Sequence, residues 1–186
     1  MRRPADLLAT AAVSRTDTAV DLLAGRLRGH AVVDRAMYGL SQAANHSLLW
    51  HGINAVDAVV GGAVAGRDHR RRALRRSVVL AVEQAAVNGP IKSLFRRDRP
   101  GHVTDHPHEL RVPLTSSFPS GHASAGACAA VLLGRDLGAA PLWWGLAAAV
   151  AWSRVHVGVH HASDLVGGAV VGTTLGRLAG AVWPPP

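Results

Sequence analysis

The segment ASDLVGGAVVGTTLGRLAGAV, residues 162–182, places Gly168, Gly172, Gly176 and Gly180 at intervals of four. Four residues is just over one helical turn, so the glycines form one stripe along one face of a helix. In water each interior glycine costs about 1 kcal/mol relative to alanine. Four in register therefore ask for a second helix at close backbone distance, the small-xxx-small packing common in bilayers. That partner can lie in the same chain or in a second copy, so a homo-oligomer is a possible assembly.

The rest of the chain agrees with helix on helix. Period-2 alternation is almost absent, and weakly apolar segments alternate with charged punctuation. Residues 36–66 carry Asp57 as their only charge, and RDHRRRALRR then holds six arginines in ten residues. Apolar stretches follow at 77–94, 121–134, 137–152 and 162–182, the last stopped by WPPP. The expected fold is all-α: a membrane-embedded bundle of about five to six helices with the site at one end. Residues 1–35 read as an amphipathic or partly disordered lead-in, and 36–186 as a single helical domain. The net charge of +8 comes almost wholly from arginine, Lys92 being the only lysine. A nucleic-acid partner is not expected, because zinc spacing and aromatic-basic motifs are missing.

Three polar clusters interrupt the apolar pattern. The first, KSLFRRDRP (92–100), sets Lys92 and Arg99 seven apart, about two helical turns, so both can point the same way. The second, SSFPSGH (116–122), offers backbone N–H groups at a helix start, a natural seat for an anion, with Ser120 and His122 alongside. Ser120 is equally suited to cap that helix. The third, SRVHVGVHHASD (153–164), places Arg154 among histidines. A cation beside histidines makes a poor metal site and a good anion site. His160 and Asp164 are four apart, where the carboxylate can accept the Nδ1–H and leave Nε2 unprotonated.

Taken in order, K-x6-R-P, P-S-G-H and S-R-x5-H-x3-D resemble the signature of the type 2 phosphatidic acid phosphatase family, which also includes bacterial acid phosphatases and vanadium haloperoxidases. Lys92, Arg99 and Pro100, Pro119 to His122, and Ser153, Arg154, His160 and Asp164 fill its defining positions. His156 and His161 stand where relatives often carry an aromatic, and Ala162 where proline is frequent, changes that bear on the pocket entrance. The resemblance implies a metal-independent phosphatase, without cofactor, acting on a lipid phosphate at the cell membrane as a multi-pass protein. His160 would be the nucleophile, Asp164 its orienting carboxylate and His122 the general acid and base. Lys92, Arg99, Ser120, Gly121 and Arg154 would bind phosphate. Candidate substrates are phosphatidic acid, a polyprenyl diphosphate and a polyprenyl-phosphate sugar phosphate. The alternatives are a vanadate-dependent haloperoxidase and a non-catalytic basic helical protein that binds membranes or nucleic acid.

Overall fold

The computed structural model describes residues 10–64, 66–101, 107, 108, 110, 112 and 114–186. Residues 1–9 of the expected lead-in, and His102 and His106 of the loop between the first two clusters, lie outside them. Among the described residues the protein is all-helical. Seven α-helices follow in order: α1 (Ala11–Gly25), α2 (Ala31–Ala43), α3 (Leu48–Val56), α4 (Arg67–Ala86), α5 (Gly121–Leu137), α6 (Ala140–His156) and α7 (Ala162–Val182). A wide turn over Asp57–Gly61 extends α3, and another over Val87–Ile91 extends α4. Pro90 sits in the second of these, where its missing N–H breaks the ordinary helical ladder.

Helix α5 is the axis of the bundle. Ser120 caps its first turn, its Oγ accepting from the Ala123 N–H, and the small side chains that follow are buried nearly all round. Against it lies the glycine stripe. A Cβ on Gly168, Gly172 or Gly176 would stand 2.4, 1.9 or 3.2 Å from the carbonyl oxygens of Ser120, Ser124 and Cys128. The two helices thus meet backbone to backbone, and the stripe finds its partner within the chain. Trp50, Leu80, Leu132, Leu133 and Val150 fill the space between α3, α4, α5 and α6.

The helix boundaries depart from the apolar segments of the sequence in two places. Residues 36–66 are not one element: α2 ends at Ala43, and His46 and Ser47, both at positive φ, redirect the chain into α3. The arginine-rich stretch is not a connection but the first half of α4. Arg75 and Arg76 are buried on Asp136 at 3.4 and 3.0 Å, and Arg76 also pairs with Asp57 and Asn54. A helix of 20 residues rotates some of its arginines inward whatever their charge, and buried carboxylates meet them there.

Candidate active site

The three clusters converge at one end of the bundle because each lies at a helix terminus. Lys92 follows the extension of α4, and Gly121 and His122 open α5. Arg154 closes α6, His160 sits in the turn after it, and Asp164 lies in the first turn of α7. Together they surround a cavity of about 310 Å³, walled by Lys92, Gly121, His122, Arg154 and His160. Asn45, His46, Gln84, Asn88 and Thr115 complete its lining.

His160 is held in one tautomer from both sides. Its Nδ1 lies 3.4 Å from Asp164 Oδ2, and its Nε2 lies 3.3 Å from Arg99 Nη1. A guanidinium only donates, so Nε2 carries the lone pair and Nδ1 the proton. The turn that presents the ring is tight: Gly158 adopts φ +71°, and the Val159 and His160 N–H groups both reach back to Arg154 O. His122 has the opposite arrangement. Its Nε2 faces the Ser41 carbonyl at 3.2 Å, so Nε2 donates and Nδ1 is the acceptor. Ser41 also accepts from Arg154 Nη1. Arg154 is 1% exposed, yet its Nε and Nη2 have no hydrogen-bond partner among the described residues. Buried donors left open are costly, and an anion in the cavity would satisfy them.

Burial pushes the His160 imidazole down to about 3; the Asp164 hydrogen bond opposes this, and the Arg154 and Arg99 charges add to it. Burial likewise lowers the Arg99 guanidinium from its usual value. For His160 the linkage has a definite sign. Between the ordinary histidine value of about 6.5 and about 3, the unfolded chain binds a proton that the folded chain does not. Stability therefore falls as pH drops through that window. His160→Gln is expected to remove this loss, read as the difference in denaturant midpoint between pH 7 and pH 4.5. Equal losses in both proteins would refute it.

Of the expected residues, Ser120 lies apart from the cavity walls: it is fully buried and caps α5. Arg99 stands beside His160, also bonded to the carbonyls of Val159 and Thr115. His156 does not border this cavity; it is buried against Asp34 at 2.8 Å. His161 begins α7, its side chain and that of Asp164 capping the helix reciprocally. The sequence reading missed Ser41, Asn45, His46, Gln84 and Asn88, and gave His46 no role. A signal existed for two of these: Gln84 and Asn88 precede Lys92 by eight and four residues, one polar stripe on the apolar stretch 77–94. Ser41, Asn45 and His46 belong to an early segment that carries no motif.

The sequence model of the PAP2 superfamily matches residues 73–184. Decaprenylphosphoryl-5-phosphoribose phosphatase from Mycobacterium tuberculosis is 34% identical over 147 residues, 77% of each chain. Its namesake from Mycolicibacterium smegmatis is 37% identical over 132 residues, 69% of this chain and 67% of that one. Among solved structures, a transmembrane PAP2 type phosphatidylglycerolphosphate phosphatase from Bacillus subtilis superposes with a TM-score of 0.70 at 24% identity. That match covers 96% of this chain and 89% of the other. Aquifex aeolicus LpxE gives a TM-score of 0.63 at 19% identity, covering 87% and 93%.

Proposed function

The chain belongs to the PAP2 superfamily and is a phosphatase acting on a lipid-linked phosphate, and from that premise we propose that it works through a phosphohistidine on His160. His160 Nε2 attacks phosphorus, and the bond from phosphorus to the leaving oxygen breaks. His122 enters the step as the imidazolium and delivers its Nδ1 proton to that oxygen. The neutral ring left behind, its Nε2–H still on the Ser41 carbonyl, then takes a proton at Nδ1 from the water that hydrolyses the phosphohistidine. Asp164 holds the Nδ1–H and stabilises the imidazolium that forms on attack. Lys92, Arg99 and Arg154 neutralise the equatorial oxygens, with Gly121 N–H presented at the start of α5 by the Ser120 cap. The observation that carries this reading is the buried Arg154, with two open donors, sharing a cavity with Lys92, His122 and the oriented His160.

For the substrate we propose a polyprenyl-phosphate sugar phosphate. Its support is twofold: the 34–37% identity to decaprenylphosphoryl-5-phosphoribose phosphatases, and the amides of Asn45, Gln84 and Asn88 in the cavity lining. Such amides suit sugar hydroxyls better than an acyl glycerol.

Multi-pass membrane embedding belongs to the same proposal. Among the described residues one helix, Ala162–Val182, is by itself long and apolar enough to cross a membrane. Its neighbours share its outer character. Large apolar side chains face outward on α4 (Val78, Val82), α6 (Leu142, Trp144) and α7 (Val166, Val170, Leu178), while Arg75, Arg76, Glu83 and Arg154 are buried inside. Apolar outside with charge buried inside suits a bilayer better than water.

The test is phosphate release in EDTA by detergent-purified protein, from a panel of polyprenyl-phosphate sugar phosphate, polyprenyl diphosphate, phosphatidic acid and soluble phosphomonoesters. The first substrate is expected to be released fastest. Preference for phosphatidic acid would overturn the substrate assignment, and release dependent on a divalent metal would overturn the mechanism.

A further inference from the structure

Asp17 lies on α1, far outside the residues that match the family, yet it is 6% exposed and tied to the far side of the site. Its Oδ1 accepts from the Ser163 N–H at 2.8 Å, and its Oδ2 from Ser163 Oγ at 2.8 Å and Arg97 Nη2 at 2.7 Å. The same guanidinium donates Nη1 to Asp164 Oδ1 at 2.5 Å and to Ser163 Oγ at 2.7 Å. Arg97 therefore forks between two buried carboxylates, one on α1 and one on α7.

The fork matters because Asp164 has two oxygens and two uses. Oδ1 takes Arg97, while Oδ2 takes the His161 N–H at 2.9 Å and faces His160 Nδ1 at 3.4 Å. An arginine beside one carboxylate tends to close on it with two parallel N–H bonds. Asp17 occupies Nη2 and so prevents that closure. Without it, Arg97 would swing both donors onto Asp164 and draw Oδ2 away from the His160 ring. The imidazolium formed on attack would then lose its counter-charge.

We propose that Asp17 is a positioning residue for the reaction: by dividing the Arg97 guanidinium, it keeps one oxygen of Asp164 for His160. This rests on the phosphohistidine reading given above. It also makes α1 part of the machinery rather than a lead-in to it, with Arg97, two residues before Arg99, as the joint.

The experiment is a cycle of Asp17→Asn, Arg97→Gln and the double variant, assayed for phosphate release with His160→Ala as the blank. Asp17→Asn is expected to lower kcat roughly 10- to 100-fold, the range for partners that orient a working histidine, at nearly unchanged KM. Asp17→Glu should recover part of the loss. The decisive arm is the double variant: removing the competing cation should restore some of the kcat lost in Asp17→Asn. A residue that merely pins α1 predicts no rescue, because the double variant has lost the same ion pair and is as slow as Asp17→Asn or slower. Unchanged kcat in Asp17→Asn, or a double variant no faster than Asp17→Asn, overturns the proposal. Nitrogen NMR of histidine-labelled protein reads the His160 tautomer without turnover. A change in the His160 signals in Asp17→Asn supports the proposal, and identical signals overturn it, even if the wild type should release no phosphate and the phosphatase mechanism itself fail.

Discussion

His160→Ala is expected to abolish phosphate release, a loss of at least ~10⁴-fold, while His161→Ala keeps most of it. The two residues are neighbours in sequence, but their backbones send them to different work. His160 ends the turn that Gly158 makes possible, and its ring enters the cavity between Arg99 and Asp164. His161 begins α7, where its side chain caps the first turn. Its backbone N–H, which holds Asp164 Oδ2, survives any side-chain change. Removing the His161 ring should therefore cost about 1 kcal/mol of stability, as for other N-caps, and leave the reaction intact. Initial rates and unfolding midpoints measured on the two variants side by side would decide it. Equal loss of activity from both would show that the nucleophile had been placed in the wrong register.

The second large effect is structural. Gly172→Val should destabilise the protein by more than about 3 kcal/mol, or prevent its recovery in folded form. A Cβ there would lie 1.9 Å from Ser124 O and 2.7 Å from Ser124 C, which are backbone atoms of α5. Nothing flexible can yield, so α5 itself would have to move. It carries Gly121 and His122 at its N-terminus, and the site would move with it. Gly145, exposed on α6 with nothing within 4 Å of an added Cβ, is the contrast. Gly145→Ala should be neutral or slightly stabilising, because it exchanges a poor helix former for a good one. Thermal unfolding in detergent checks both. A Gly172 variant as stable as Gly145→Ala would mean that α5 and α7 do not pack as described.

What could be read before the fold was local. The glycine stripe is a matter of spacing along one helix, and spacing alone required a close helix partner. The pairing of His160 with Asp164 is an i, i+4 relation, legible in the same way. From residue chemistry, Arg154 among the histidines suits an anion better than a cation. All-helical architecture followed from the near absence of period-2 alternation.

Tertiary structure decided whatever depends on contacts distant in sequence. Whether the stripe meets a helix of its own chain or of another was open until α5 was found against it. Ser120 was suited to cap a helix, and the structure shows its Oγ accepting from the Ala123 N–H, the side chain fully buried behind the first turn of α5. Arg75 and Arg76 belong to a basic run that would be solvated in isolation. Asp136, some sixty residues away, brings them inside. Ser41 reaches His122 and Arg154 across 81 and 113 residues, and Asp17 reaches Ser163 across 146. No periodicity links such pairs, because periodicity reports only which face of one element a residue occupies. Which elements meet is set by the packing of all of them together.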